Sequence, residues 1–415
     1  MSGDRTSGAD TVAIVGTILE LDVGPVAHGG HFVARPATGP VVFVRHALPG
    51  ERVRAVVTEV RKGYLRADAV EVLTASPDRV DAPCRYAGAD RCGGCDFQHA
   101  APAAQLELKA AVVGELLARP GGLSADEITA LGVRVQALPG GSLGWRTRVR
   151  YAIDPVGRPG FRKHRSHQVV PVDRCLIAHA GVQDAPVTGE GWPPRTEEVE
   201  VVASAGGDVT VLTPGTRQAT LVSGPRQVRE RAVGREWTVP ADTFWQVHPA
   251  APDALAATVV ELLAPRPGDR AWDLYGGIGL FAAALAPALG RDGRLTVVES
   301  DPRGVTAARR NLADLPQVRV VAGDVARVLA NPRWRAVDLV VLDPPRAGAG
   351  REVVESIIAR RPRAVAYVAC DPAAFARDVS TFREHGWRLA TLRAFDAFPM
   401  TQHVELVGLL TDRAD

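Results

Sequence analysis

One cysteine and one glutamate near the end of the chain carry the clearest chemical signal in this sequence. Cys370 closes an apolar run, and Glu405 lies in the last apolar segment. A thiolate can attack an electron-poor carbon and leave again, and a carboxylate can remove a proton. The pair suits methylation of uracil carbon 5, because attack at carbon 6 activates carbon 5, whose proton must later be removed. Taken alone, Cys370 could equally be a small buried hydrophobe and Glu405 a surface strand residue.

Turns upstream of this pair predict a pocket for a nucleotide-like methyl donor. The run Asp273–Gly279 (DLYGGIG) follows a predicted strand and opens an apolar helix, so its backbone can approach a ligand closely. Glu299 ends the next strand, where a carboxylate can accept from ribose hydroxyls, and Asp324 follows the third strand, placed to meet an adenine edge. Dehydrogenases share such features, but dinucleotide binding does not require the rigid 343–346 turn (DPPR), which could hold a flat acceptor. An ordinary helix start is the alternative for that turn.

Alternating helical and β-rich segments from about Ala241 onward predict a doubly wound parallel sheet. Its strands are predicted at Arg270–Tyr275, Leu295–Glu299, Val318–Ala322, Val337–Leu342 and Ala364–Ala369. Two further segments, Trp387–Phe395 and His403–Leu410, have no helix between them. They therefore predict a hairpin that closes the sheet.

The first part of the chain alternates in hydrophobicity and is cut by Gly and Pro turns, which predicts a small β-barrel. The predicted strands are Thr11–Leu21, His31–Arg35, Val41–Arg45, Glu51–Arg61 and Tyr64–Leu73. Such a barrel could bind RNA or act as a purely structural spacer. After it, residues 101–118 are predicted to be helical and residues 132–238 to be β-rich.

Four other cysteines are spaced as metal ligands rather than as disulfide partners. Cys84, Cys92 and Cys95 lie in one short loop, whose glycines let the backbone bend around one centre. Zinc sites usually offer a second close pair of ligands, whereas an iron–sulfur cluster accommodates one distant thiolate, for which Cys175 is the candidate. We therefore predict a four-iron cluster, with zinc or no metal as the alternatives.

Residues 145–167 predict a local surface for RNA. They hold seven Lys and Arg residues and one Asp, which gives a local charge of +6. Their aromatic residues are Trp145, Tyr151 and Phe161. Phosphate neutralisation with aromatic stacking is a common way to hold unpaired RNA, so we predict contacts by Arg146, Arg148 and Arg162. A solvated arginine-rich hairpin is the alternative.

Length and composition limit the class of protein, the number of domains and the partners that the chain can have. A chain of 415 residues with 46% hydrophobic and 23% charged residues is globular and long enough for two or three domains. No apolar run approaches a membrane span and the polar start leads into no signal-type segment, so we expect a cytoplasmic protein without a membrane partner. The net charge of +2 predicts no polyanion partner from bulk charge alone. Lysine occurs only as Lys62, Lys109 and Lys163, while Arg and Ala abound, which suggests a GC-rich bacterial genome.

Together these motifs resemble the RNA uracil-5-methyltransferases, a family that acts on tRNA and ribosomal RNA, and the resemblance covers nearly the whole chain. Residues 41–53 (VVFVRHALPGERV) resemble its TRAM domain, an OB-like RNA-binding barrel, and the four clustered cysteines match its iron–sulfur branch. The resemblance implies a multidomain fold. Its parts are a TRAM-like barrel at 8–75, a central β-rich RNA-binding domain with the cluster at 76–240, and a Rossmann-like class I methyltransferase domain at 241–415.

The resemblance also implies roles for single residues. Residues 244–248 (FWQVH) resemble a Phe-x-Gln-x-Asn signature whose Gln contacts the cofactor, a role carried to Gln246. The residues that match cofactor-pocket positions are Tyr275, Glu299, Asp324 and Asp343. Cys370 matches the nucleophile and Glu405 the base. The departures from the family pattern are His248 and Asp371 where Asn is usual, Gly276 for a frequent Cys, and Leu280 for a frequent Asn, which leaves Leu280 outside the site.

The expected protein is a monomeric enzyme that methylates uridine carbon 5 in tRNA or 23S rRNA, with S-adenosylmethionine and a [4Fe-4S] cluster as cofactors. Two alternatives stay open. One is an RNA-binding protein of methyltransferase-like fold without catalysis. The other is a methyltransferase for another nucleic-acid position, such as an exocyclic amine, which would need no cysteine.

Overall fold

The computed structural model describes residues 14–189, 191–193, 195–215, 218–334 and 337–412, which form two compact units. Unit 1 comprises residues 14–108 with Lys163–Ser166 and Met400–Gln402, and unit 2 comprises the other described residues. The three domain ranges given above stay predictions. Residues 8–13 and 413–415 of those ranges lie outside the described residues.

Unit 1 contains a closed five-stranded barrel, which confirms the predicted barrel. Its strands are β1 (Ile18–Ala27), β2 (His31–Ala34), β3 (Val41–Arg45), β4 (Arg52–Arg61) and β5 (Tyr64–Thr74), in the order β1-β2-β3-β5-β4. Alternate residues of the strands point inward, and Phe32, Val42 and Val53 are fully buried.

The first strand differs most from the prediction. It was predicted at Thr11–Leu21, of which residues 11–13 lie outside the described residues, but β1 runs on to Ala27. The pairing of β1 with β2 shifts register between Val23 and Val26, at Gly24-Pro25. A β-bulge accommodates these residues within a strand, although their types are typical of a turn.

Unit 2 begins within the helix predicted at 101–118, which the structure confirms. The next elements are α1 (Pro102–Ala118), α2 (Ala125–Leu131), β6 (Val135–Ala137), β7 (Arg148–Ile153), β8 (Pro159–Arg162), β9 (Val169–Pro171), α3 (Ala180–Gln183), β10 (Glu198–Ala203), β11 (Val209–Thr213), β12 (Thr220–Ser223), β13 (Gln227–Ala232) and β14 (Arg235–Pro240). Six of these strands form a sheet in the order β12-β11-β10-β7-β8-β9, and β13 pairs with β14.

The rest of unit 2 is the predicted doubly wound sheet. Its elements are α4 (Ala251–Leu263), β15 (Arg270–Leu274), α5 (Leu280–Leu289), β16 (Arg294–Glu299), α6 (Pro302–Asn311), β17 (Val318–Ala322), α7 (Val325–Leu329), β18 (Leu339–Leu342), α8 (Arg351–Ile358), β19 (Ala364–Ala369), α9 (Pro372–Glu384), β20 (Trp387–Asp396) and β21 (Glu405–Asp412). The sheet order is β17-β16-β15-β18-β19-β21-β20-β6.

Strands β15 to β19 are parallel, and the hairpin β20–β21 closes the sheet through β21, which is antiparallel to β19. The order reverses between β15 and β18, and ligands of such sheets bind at the carboxyl ends of the strands beside this reversal. The sequence did not predict β6, which adds three residues beside β20. So short a strand has no usable periodicity of its own and depends on its partner.

A buried ion pair fixes the end of β20. The Lys109 side chain is fully buried, and its Nζ lies 2.5 Å from Oδ1 of Asp396 and donates to the Phe398 carbonyl at 3.1 Å. A buried charge without a partner would be strongly destabilising, so the pair ties α1 to the segment that leads into β21. None of the described helices is long and apolar enough to cross a membrane.

We predict that Lys109→Met destabilises the protein by about 3–5 kcal/mol, because it leaves the Asp396 carboxylate buried without its cation. Denaturant unfolding followed by circular dichroism measures the change. The exposed Lys62 is the matched control, and Lys62→Met should change stability by less than about 0.5 kcal/mol. Equal stability of the two variants would show that the buried pair contributes nothing.

Candidate active site

Strand pairing brings Cys370 and Glu405 together. Strand β19 is buried along its whole length and pairs with β21, and Ala369 faces Leu406 in the last pair. One step further, the antiparallel register sets Cys370 opposite Glu405. Cys370 is half-buried and has a free thiol, and Glu405 is 2% exposed. The two residues singled out from the sequence are therefore neighbours at one edge of the sheet.

The glycine turn after β15 starts from a buried carboxyl group. Oδ2 of Asp273 accepts from the Ala282 backbone N–H at 2.9 Å, while Oδ1 is buried and has no hydrogen-bond partner within the described structure. Burial raises the pKa of Asp273 to about 8. The next residue but one, Tyr275, has a φ of +60°, and a Cβ on Gly276 would lie 2.5 Å from Cγ1 of Val297. This crowding explains why a glycine occupies position 276.

Glu299 closes the same turn from the next strand. Its Oε2 accepts from the Gly277 backbone N–H at 2.9 Å, and its Oε1 accepts from the Asp301 N–H at 2.6 Å. A carboxylate fixed in this way keeps further lone pairs for ligand hydroxyls. Asp324 is exposed and caps α7 by accepting from the Arg327 N–H at 3.1 Å. Both acids lie at the carboxyl ends of their strands, as the sequence predicted.

The edge of the sheet concentrates carboxyl groups. Asp343 follows β18, and burial raises its pKa to about 7. Burial also raises the pKa of Glu405 well above its ordinary value, and the nearby Asp343 raises it further. A cationic ligand would favour the ionised forms of these groups. S-adenosylmethionine carries a positive sulfonium, so the chemistry of these acceptors fits it.

The thiol of Cys370 is held in its protonated form when no ligand is bound. Burial, together with the charges of Glu405 and Asp343, raises its pKa to about 11, and the Arg346 guanidinium acts in the opposite direction. Arg346 likewise lowers the pKa of Glu405 and that of His403. Arg346 is thus the cation of the DPPR turn that acts on Cys370 and Glu405 together.

The segment that carries Gln246 is fastened to the start of β7. The Arg148 side chain is 17% exposed, and its Nη2 donates to the carbonyl oxygens of Ala241 at 2.6 Å and Thr243 at 2.7 Å. Thr147 donates to the Val247 carbonyl through its backbone N–H at 2.9 Å and through Oγ1 at 3.0 Å. Gln246 itself is buried. These bonds use the Arg148 guanidinium internally, which argues against its predicted contact with RNA.

The other departures from the family pattern also have a structural account. Leu280 is buried at the start of α5, and Asp371 caps α9 by accepting from the Ala374 N–H at 2.8 Å. His248 is buried and stacks on Trp145, with the ring centroids 6.0 Å apart. Its Nδ1 accepts from the Ala250 N–H at 3.2 Å. The His248 ring therefore packs against Trp145, a stacking contact that an asparagine could not make.

The predicted cluster cysteines fall in both units. Cys84, Cys92 and Cys95 are in unit 1 and Cys175 is in unit 2, and all four are half-buried. In the part of the chain that the structure describes, no three His, Cys, Asp or Glu side chains are arranged to hold a metal ion. The Gly94 N–H donates to Sγ of Cys92 at 3.4 Å, a kind of contact that iron–sulfur thiolates also accept.

Most of the basic side chains counted in residues 145–167 form ion pairs in three dimensions. The ion pairs are Arg148–Glu200, Arg150–Glu198, Arg158–Asp154, Arg162–Glu198, Lys163–Asp90 and Arg165–Glu59. Counting along the sequence included Asp154 but missed the other four carboxylates, most of which lie on other strands. The prediction of aromatic stacking was wrong for Trp145 and Tyr151, because both side chains are buried.

Two predicted RNA contacts keep accessible guanidinium groups. The Arg162 side chain is 47% exposed beside Glu198. Arg146 is half-buried, its Nε donates to the Arg148 carbonyl at 3.1 Å, and its charge helps to lower the pKa of His403. Arg146 therefore lies within electrostatic reach of the segment that leads to Glu405.

Unit 1 offers a second basic and aromatic face that the sequence did not single out. The Arg66 guanidinium lies 5.4 Å from the ring centroid of Tyr64, which meets Phe43 edge-on at 5.5 Å. Glu59 alone forms ion pairs with three arginines. These are Arg61, Arg66 and Arg165. One carboxylate cannot neutralise three guanidinium groups, so this face keeps positive charge.

Comparison with known proteins agrees with this geometry. The TRAM domain model matches residues 13–70, and a model described as tRNA (Uracil-5-)-methyltransferase matches residues 227–413. A Streptomyces avermitilis protein described as an RNA methyltransferase is 48% identical, over 96% of this chain and 99% of that protein. The Chromohalobacter salexigens 23S rRNA (uracil(1939)-C(5))-methyltransferase RlmD is 35% identical, over 98% of this chain and 92% of that protein.

A solved structure shares the fold. The Pyrococcus abyssi tRNA (uracil-54, C5)-methyltransferase, in complex with S-adenosyl-L-homocysteine, superposes with a TM-score of 0.69 over 95% of this chain and 100% of that chain, at 21% identity. The relatives match from one end of the chain to the other, through both the barrel and the doubly wound sheet. The chain therefore belongs to the RNA uracil-5-methyltransferases, a family of S-adenosylmethionine-dependent enzymes, and it carries a TRAM domain.

Proposed function

We propose that the protein methylates carbon 5 of a uridine through a covalent adduct with Cys370. The register that sets Cys370 opposite Glu405 is the observation that carries this proposal. The Cys370 thiolate adds to carbon 6 of the uracil, which leaves an enolate whose carbon 5 is nucleophilic. S-adenosylmethionine supplies the methyl group that carbon 5 takes. Glu405 then removes the carbon 5 proton, the bond between carbon 6 and sulfur breaks, and the thiolate leaves.

The pocket residues have distinct parts in this scheme. We propose that Gln246, Tyr275, Glu299, Asp324 and Asp343 hold the methyl donor. The raised pKa values of Asp343 and Glu405 support this, because a cationic donor beside them would favour their ionised forms. The same positive charge lowers the pKa of Cys370 from its value of about 11, so donor binding would help to form the thiolate.

We propose 23S rRNA as the substrate, because the 35% identical relative RlmD acts on 23S rRNA. A tRNA is the second candidate, because the description of the matching family model names tRNA as the substrate. Either substrate would place the enzyme in the cytoplasm, and we propose that it acts there as a monomer. Mass spectrometric mapping of 5-methyluridine in both RNAs from a deletion strain decides between them, since the modification should disappear from one.

We also propose how the RNA and the cluster are held. The reacting carbon lies within a stacked base, so the uridine must leave its stack and its flanking phosphates become the charged handles. Arg146 and Arg162 are the proposed contacts in unit 2, and the face of Tyr64 and Arg66 is the proposed contact in unit 1. The spacing of the cysteines supports a [4Fe-4S] cluster. Its proposed ligands are Cys84, Cys92, Cys95 and Cys175.

We predict that Glu405→Gln accumulates a methylated protein–RNA adduct, because the base is needed only for product release. Cys370→Ala should abolish both turnover and adduct while still binding S-adenosylmethionine. A denaturing gel with labelled methyl donor measures this, with Glu261→Gln, an exposed glutamate of α4, as the control. Normal turnover of Cys370→Ala would point instead to methylation of another position, such as an exocyclic amine. Donor binding without turnover in the unmodified protein would point to a non-catalytic RNA-binding protein.

We predict that replacing Arg146 and Arg162 together by Ala weakens RNA binding and flattens its dependence on salt. The slope of log affinity against log salt should fall by about 1–2, since about one counterion fewer is released for each lost phosphate contact. Binding titrations at several salt concentrations measure the slope. Arg229→Ala, which removes an exposed, ion-paired arginine of β13, should leave it unchanged. An unaltered slope in the folded double variant would show that these arginines form only a solvated face.

We predict that anaerobically purified protein is brown and contains about four iron atoms per chain. Cys84→Ser and Cys175→Ser should each lose most of this iron, while Cys370→Ser, the matched control outside the proposed ligand set, should keep it. Iron and acid-labile sulfide assays measure the content. Colourless anaerobic protein with stoichiometric zinc would rule out the iron–sulfur cluster.

A further inference from the structure

A buried carboxylate, Asp378, holds the turn that follows the Asp343-Pro-Pro motif. Asp378 lies on α9 and is 5% exposed. Its Oδ2 accepts from the Ala349 N–H at 2.7 Å, and its Oδ1 accepts from the Gly350 N–H at 3.2 Å. Oδ2 also accepts from the hydroxyl of Tyr367, on β19, at 2.6 Å. One side chain therefore connects the 343–350 turn with a strand and a helix.

The turn is shaped to receive this carboxylate. Gly348 has a φ of +91°, and a Cβ at this position would lie 2.7 Å from Oδ2 of Asp378. The named donors to Asp378 are all neutral, and burying a carboxylate is costly unless hydrogen bonds compensate. A buried carboxylate with only neutral donors is therefore expected where the protein needs a fixed backbone geometry.

The same turn carries Arg346, whose guanidinium lowers the pKa values of Cys370 and Glu405. Tyr367 precedes Cys370 by three residues on β19, and α9 begins directly after Cys370 and Asp371. Strand β19 and helix α9, both joined by Asp378, thus adjoin Cys370, and the charge of Arg346 on the joined turn acts on the same thiol. We propose that Asp378 is a positioning residue that fixes the 343–350 turn and thereby keeps Arg346 beside Cys370 and Glu405. The inference rests on the proposed role of Cys370.

The test compares two alkylating reagents of similar size, of which only one carries a charge. Cys370 in the full chain is alkylated with iodoacetate, which is anionic, and with iodoacetamide, which is neutral, and its peptide is quantified by mass spectrometry. The rate constant for iodoacetate divided by that for iodoacetamide reports the charge beside the thiol. The thiolate fraction and the accessibility of the thiol affect both rate constants and cancel in this ratio. No RNA or methyl donor is present, so the result does not depend on whether the proposed reaction occurs.

We expect Asp378→Asn to lower this ratio about threefold, because an amide has one acceptor oxygen and the released turn lets Arg346 move away. Arg346→Gln should lower it similarly, and the double variant should be no lower than Arg346→Gln alone. Glu384→Gln, at the exposed end of the same helix, is the matched control and should leave the ratio unchanged. Tyr367→Phe, a milder change, should lower it slightly and covers the case in which Asp378→Asn does not fold.

Asp378 could act by fixing the turn or through its own negative charge, and the two explanations predict changes of opposite sign in the ratio for Asp378→Asn. Removal of a negative charge, without movement of the turn, would raise the ratio. A raised or unchanged ratio in Asp378→Asn, or full additivity with Arg346→Gln, would overturn the positioning role. The expected change in the ratio, together with normal methylation by Cys370→Ala, would instead contradict only the proposed function.

Discussion

The antiparallel pairing of β19 with β21 is the constraint on which the site depends. Side chains in a strand alternate between faces, so a slip of one residue would move Glu405 away from Cys370. Packing secures this register. Gly408 faces Tyr367, and a Cβ there would lie 2.6 Å from Cζ of Phe375, whose ring packs against Tyr367. Helix α9, which carries Asp378, can therefore approach the sheet closely only because position 408 has no side chain.

The second constraint is electrostatic. Asp273, Asp343 and Glu405 have raised pKa values because they are buried, and the thiol of Cys370 is held protonated for the same reason. In the proposed mechanism, a sulfonium donor would bring positive charge to these groups at the step that requires a thiolate. Binding of the donor and ionisation of Cys370 would then be linked by one interaction.

The sequence predicted the elements with strong periodicity and the residues at their ends. The parallel strands were located to within about two residues, and Glu299 and Asp324 lie at the strand ends where they were expected. Predictions failed where the outcome depends on partners distant in the chain. Charge counting along residues 145–167 could not include Glu198 and Glu200, which face the arginines from a neighbouring strand.

Other residues gave no sequence signal at all. Asp378 looks like one more polar residue on an amphipathic helix, and only the folded chain shows its carboxylate against the 343–350 turn. The first barrel strand was misjudged because a glycine and a proline are typical of turns, whereas here they occupy a bulge. Local types and spacing therefore predict candidate catalytic residues, but the residues that support them depend on tertiary structure.

The scarcity of lysine makes the protein convenient for site-selective chemistry. Of the three lysines in the sequence, Lys109 is fully buried in its ion pair and Lys163 is largely covered beside Asp90. Lys62, in the tight loop between β4 and β5, is exposed. Among the lysine side chains, an amine-reactive dye or surface linker would therefore attach mainly at one point of the barrel. A fluorophore there would test the proposed contact of unit 1 with RNA without engineered cysteines, which would compete with the five natural thiols.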